Sequence, residues 1–375
     1  MTTRAPSRRR EQGTSALDRR IEEAESRAVV VWRGEKVRFR AVPERITRIN
    51  DRRGRDRLYA AYQDAFEALN PLYEERLAAW RERGDLIAPA AKDGTDPAEF
   101  AVTLERLSVH LETPYYAALR RYLALIDIEQ GDATEADVWH VVRGSSWANW
   151  FGDREVRRAV VAAGRAMVEA TDLDGWRGAE WQLAGGPTTG PVAAAYATLV
   201  GSPEWLSDEL GVSPEEVAAF ADFGAFVRLL RLRRAHAELL YELRLFTADD
   251  AALQRAYYAG IVGHMSGVTV GEAGYLAGVS RPFASVGRLE TAIAGAMLVE
   301  VLESRHGPQW WRDRASARLA ARVGAAAKLD DVLAELGYDA LDWRPVLRQI
   351  RTRLIGEMSG YGGPNITTRA GTRKV

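Results

Sequence analysis

Residues 236–242, His-Ala-Glu-Leu-Leu-Tyr-Glu, set an imidazole and two carboxylates within two turns of a strongly helical stretch. Glu238 and Glu242 stand four apart, so one helical face carries both. Together with His236 or His264 such a face suits metal binding or general-base chemistry. A metal-binding H-E-x-x-H helix also needs a glutamate directly after the first histidine and a second histidine four positions on, so that two imidazoles project side by side. Ala237 and Leu240 hold those places. Arg231 and Arg234 lie upstream, and the same carboxylates serve equally well in ion pairs within and between helices, which is the favoured reading. The candidates for catalysis are Glu238, Glu242, His236 and His264, with no role assigned among them.

A second chemistry-bearing stretch is 260–281. Its glycines give the backbone freedom to approach a ligand or to act as a hinge. It lacks both the G-x-x-x-x-G-K-[ST] cradle and the strand–G-x-G-x-x-G–helix context, so nucleotide binding is not supported. A ligand loop here would offer His264, Glu272, Tyr275 and Arg281. The chain also has 11 tryptophans. Several sit beside arginine, and Trp147, Trp150 and Trp176 have the least core-like contexts, which adds them to the ligand-binding candidates through stacking. No G-x-S-x-G elbow is present.

The 51 basic and 52 acidic side chains nearly cancel over 375 residues, which argues against a nucleic-acid partner or a membrane surface. There are no cysteines, so disulfides, thiolate metal sites and cysteine nucleophiles are excluded. The arginine-rich N-terminus is not followed by an apolar stretch, and no apolar run reaches the roughly 18 residues of a membrane helix, so a cytoplasmic location is expected.

The elements that must position these residues are almost all helical. Val29–Trp32 and Lys36–Arg40, on either side of Arg33-Gly34-Glu35, read as a small hairpin, and two strands alone need a helical surface to pack on. From Asp51 onward apolar residues recur at threes and fours. Helices are expected over about 51–83, with Pro71 a point of kinking or division, then 98–110, 113–129, 134–148, 153–170, 191–200, 203–210, 214–246, 248–264, 282–306, 309–322, 328–336 and 342–358. Asp96-Pro97, Thr134 with Asp137, Ser213-Pro214-Glu215-Glu216 and Ser280 ahead of Pro282 read as helix starts.

In this order the segments resemble the thimet oligopeptidase and oligoendopeptidase F family of zinc peptidases. Glu112-Thr113, Tyr116, Asp137, Arg143 and Trp150-Phe151 stand where that family's N-terminal lobe has matching types. "SPEWLSDELG", "RRAHAELLYELRLF", "SRPFASVGRLETAIAGAMLVEVLESRHGPQWW" and "LDDVLAELGYDALDWRPVLRQI" are similar in order and spacing to its C-terminal helices. The resemblance implies an all-α, two-lobed helical zincin-peptidase-like scaffold with a small N-terminal β-hairpin. The expected divisions are a basic disordered tail (1–25), the hairpin appendage (26–50), an N-terminal helical lobe (51–170), a Gly-rich connection replacing the zinc-motif region (171–202), a C-terminal helical lobe (203–358) and an irregular tail (359–375).

It also implies zinc, and here the chain departs from the family. The interval that holds the zinc motif in relatives contains no histidine, and its acidic residues, Asp172, Asp174 and Glu180, cannot supply two imidazoles. The chain's five histidines, His110, His140, His236, His264 and His306, include no pair four apart. Phe283 stands where relatives carry a transition-state tyrosine, which removes an oxyanion donor. The expectation is therefore a non-hydrolytic, peptidase-like protein with no metal or other cofactor, binding a peptide or small ligand between its lobes. The alternative is a divergent metallopeptidase or a repurposed helical enzyme using the 236–242 helix and the 260–281 loop.

Overall fold

The computed structural model describes residues 6–82, 95–144, 190–247, 251–326 and 328–354. Among them are thirteen α-helices and one two-stranded sheet, so the chain is mostly helical. No helix in this set is long and apolar enough to cross a membrane.

The hairpin forms where its residue types require it. Strands β1 (Val29–Trp32) and β2 (Glu35–Arg38) pair antiparallel with Trp32 opposite Glu35. The two-residue turn between them holds Arg33 at φ 52° and Gly34 at φ 80°, the positive-φ pair that matches the twist of the strands. The hairpin lies against α3 (Arg52–Arg81). Helix α1 (Pro6–Arg27) begins well ahead of the expected end of an irregular tail, and it packs on α3 through Leu17 and Ile21. Burying that apolar stripe is what stabilises the helix against a charged, weakly amphipathic sequence.

Two prolines divide less than their residue type suggests. Pro71 lies inside the continuous α3, and Pro114 inside the continuous α4 (Pro97–Ala124), where two helices were expected. Each costs one backbone hydrogen bond. Leu107 and Leu111 before Pro114 and Tyr115 and Leu119 after it are all buried, and that shared stripe keeps the axis continuous. Asp96 caps α4 as expected, accepting from the Ala98 and Glu99 amides.

The C-terminal part is built around α8 (Pro214–Leu245). It packs against α4, α9 (Ala251–Ser266), α10 (Ala284–His306) and α13 (Arg344–Leu354), which leaves it little polar face. Helix α6 (Pro191–Ala197) crosses α10 so closely that a Cβ at Gly295 would lie 2.5 Å from that of Ala194. The remaining helices, α7 (Pro203–Leu210), α11 (Arg314–Ala325) and α12 (Leu329–Leu336), cover the flanks. Helix α10 starts at Ala284 rather than at Pro282, because Phe283 takes φ 55° ahead of it.

Helix α5 (Glu135–Gly144), with α2 (Val42–Thr47) beside it, is anchored by a buried ion pair. Asp137 accepts from the Thr134 amide and hydroxyl at 3.0 and 3.1 Å, closing the helix start. Its other oxygen takes the Arg55 guanidinium of α3 at 2.9 Å. Arg55 also donates to the carbonyls of Ile49 and Asn50. Asp137→Ala would leave the buried Arg55 without its counter-charge and is expected to cost about 3–5 kcal/mol in urea unfolding. Replacing both partners, as in Arg55→Met with Asp137→Leu, should recover most of that loss.

Candidate functional site

A cavity of about 380 Å³ opens where α3, α5, α8 and the 267–283 connection meet. Helix α8 contributes Arg234, Glu238, Tyr241 and Glu242, whose spacing of four, three and one keeps them on one face. Facing them from α3 are Tyr62, Gln63 and Phe66, and from α5 Glu135 and Trp139. The connection supplies Tyr275 and a run of small residues, and α1 closes one side with Glu25.

Backbone pairing sets the connection against α5. The Thr269 amide donates to Ala133 O and the Glu135 amide to Thr269 O, both at 2.9 Å. Two residues on, the Gly271 amide donates to the Tyr59 hydroxyl at 3.0 Å. A Cβ at Gly271 would lie 2.3 Å from the Gln63 carboxamide, so the glycine lets the connection lie directly on α3.

A charged chain crosses the cavity wall. Arg234 pairs with Glu135, and its Nε donates to Glu238 at 3.2 Å. Arg288 of α10 pairs with the other oxygen of Glu238. Tyr59 donates to Glu135 at 2.9 Å, and burial, reinforced by the Glu135 charge, holds its phenol well above the ordinary value. Burial works against the Arg234 charge, but Glu135, Tyr258 and Glu238 outweigh it and keep the guanidinium firmly protonated.

Glu242 differs from the other carboxylates. It is 1% exposed and accepts from the Ser285 hydroxyl at 2.6 Å. Burial pushes its carboxyl up to about 7, with Glu238 adding to the rise against the pull of Ser285 and Arg288. Next to it, the Tyr241 hydroxyl is buried with no hydrogen-bond partner among the described residues. Tyr241 stacks edge-on against Tyr258 at 5.1 Å, and Phe39, Tyr62 and Phe66 form a second aromatic group with centroids 4.5–5.0 Å apart.

Of the residues singled out in the sequence, Glu238, Glu242 and Tyr275 meet at this cavity. The Tyr275 hydroxyl donates to Glu74 at 2.6 Å, and Arg255 covers its ring. His236 is elsewhere: it packs toward α4, with its Nδ1 2.8 Å from the Ser108 hydroxyl, and burial lowers it to about 4, so it is neutral. His264 is exposed near the end of α9, and Glu272 and Arg281 are exposed on the connection. None of these four lines the cavity. Trp147, Trp150 and Trp176 lie outside the described residues. Glu135, Tyr59, Tyr258, Arg234 and Ser285 were not foreseen as site residues. Only the helix-start pattern at Thr134 marked the neighbourhood of Glu135, and nothing in it pointed to a cavity.

The zinc that the family resemblance implies does not fit these donors. The two α8 carboxylates face the cavity, but the nearest histidine in sequence faces away and is bonded to Ser108. Among the described residues no group of three or more His, Cys, Asp or Glu side chains is placed to hold a metal ion. Compared with protein-family models, with curated proteins and with solved structures, the chain matches none.

The raised Glu242 carboxyl makes stability depend on pH. The folded state holds the proton more tightly than the unfolded chain, whose carboxyl titrates near 4.5. Stability from this group is therefore complete below about pH 4.5 and is lost as pH rises through about 7. Urea midpoints at pH 5 and pH 8 should show wild type losing on the order of 3 kcal/mol more than Glu242→Gln across that window.

Proposed function

We propose that this chain is a non-hydrolytic binding protein whose ligand occupies the cavity between α3, α5, α8 and the 267–283 connection. The observation that carries this reading is the cavity itself. Its 380 Å³ lies in the lower part of the ~300–1,000 Å³ range of small-molecule sites, with aromatic walls and a few convergent polar groups. That volume suits a small molecule or the end of a peptide rather than an extended peptide.

Kinship with the zinc oligopeptidases belongs to the same proposal. It is supported by the order of the sequence segments, and on it the cavity is what remains of a cleft between two helical lobes. Walls drawn from both 51–170 and 203–358 are consistent with that origin. A second reading, an enzyme that moves protons, is favoured by one feature: a buried carboxyl pushed up to about 7 beside a phenol with no hydrogen-bond partner among the described residues.

Metal analysis of the purified protein, together with a quenched-peptide assay, tests the loss of hydrolysis. We expect no chelator-sensitive cleavage, and stoichiometric zinc with such cleavage would overturn the proposal. Binding is tested with Ala277→Trp, which places an indole in the cavity. Fragments that raise the wild-type Tm by roughly 2 °C or more should give no shift in this variant.

A further inference from the structure

Charge bookkeeping around the cavity narrows the ligand class. Four carboxylates line it, Glu25, Glu135, Glu238 and Glu242, with the guanidiniums of Arg40 and Arg234. Arg40 pairs with Glu25 at 2.8 Å. Arg234 is shared between Glu135 and Glu238, and Arg288 reaches Glu238 from outside the lining. Every guanidinium is thus committed to a carboxylate, and none is left to receive an anion. Even with Arg288 included, four carboxylates face three guanidiniums, and the excess negative charge sits on Glu242. Its bonded partner among the described residues is a hydroxyl, that of Ser285.

An unneutralised buried carboxylate is costly unless it takes a proton or a counter-ion. Burial, which pushes the Glu242 carboxyl up to about 7, favours the first outcome. A cationic ligand offers the second. The surroundings favour it, because the 1% exposed Tyr241, beside Glu242, keeps a hydroxyl with no hydrogen-bond partner among the described residues. Tyr62, Trp139 and Tyr258 also line the cavity, and aromatic rings stabilise organic cations better than aliphatic walls do.

We propose that the cavity takes a small protonated amine, its ammonium held by the Glu242 carboxylate and the Tyr241 hydroxyl and its organic part against the tyrosine and tryptophan rings. This inference rests on the cavity being the ligand site. The ammonium N–H groups donate to both oxygens, so the amine is distinguished from a quaternary ammonium by hydrogen bonding and from an alcohol by charge. Glu238 and Arg288, the charged groups that act on Glu242, stay paired with each other, and Arg234 stays shared between Glu238 and Glu135.

Calorimetric titration of the full chain at pH 8 with benzylamine, benzyl alcohol and benzoate tests it. We expect saturable binding of benzylamine, about tenfold or more tighter than the alcohol, and no binding of benzoate. Glu242→Gln keeps the Ser285 contact and should remove that preference. Tyr241→Phe should weaken the amine severalfold, a second readout should Glu242→Gln fold poorly. Equal or tighter binding of alcohol or benzoate, or an amine preference that survives in both variants, overturns the cation proposal and leaves the cavity reading standing. If none of the three probes binds saturably, or if Ala277→Trp binds benzylamine as wild type does, both the cation proposal and the cavity reading fail.

Discussion

The arrangement around the cavity depends on one shared cation. Arg234 on α8 binds Glu135 at the start of α5 and Glu238 one turn along its own helix, so a single guanidinium joins helices about a hundred residues apart in sequence. Buried charges persist only when paired and hydrogen-bonded, and each partner here has a further contact: Tyr59 on Glu135, Arg288 on Glu238. The geometry of the wall is thereby over-determined. A shift of α5 relative to α8 would part Glu135 from Arg234 and leave both charges short of a partner.

The same logic explains why Asp137 lies beneath the site without being part of it. Its carboxylate closes the start of α5 and neutralises Arg55, so the residue two before it, Glu135, emerges at a fixed angle. The Thr134–Thr269 bridge then places the glycine-bearing connection against that same point. Structural ion pairs and the proposed ligand groups thus form two layers, one that sets positions and one that faces the cavity.

Glu242 is where this tight pairing stops. Every other lining carboxylate has a guanidinium, whereas Glu242 has a serine and an adjacent phenol that bonds to nothing among the described residues. A buried carboxyl with no guanidinium beside a buried phenol with no partner among the described residues is a pairing that calls for a use. Hence the pair that departs from good packing, rather than the pair closest to a familiar motif, carries the proposed function.

Helical class, the hairpin about Arg33-Gly34-Glu35 and several helix starts could be read from local chemistry, because each depends on residues within one or two turns; the structure takes Glu35 into the second strand and ends that strand at Arg38. The lack of an H-x-x-x-H pair is likewise a fact of the sequence, since two histidines four apart either exist in it or do not. Proline was a poorer guide: Pro71 read as a kink or a division and two helices were expected on either side of 110–113, next to Pro114, but apolar stripes buried on both sides kept the helices whole. The sequence placed Glu238 and Glu242 on one face, and His236, two positions before Glu238 and so about 200° round the helix, points to the other side. Packing against α4 supplies the partner it meets there, the Ser108 hydroxyl. The contributions of Glu135, Tyr59 and Arg288 were decided by tertiary structure alone, since contacts between residues 50 to 100 apart in the chain leave no periodicity to read.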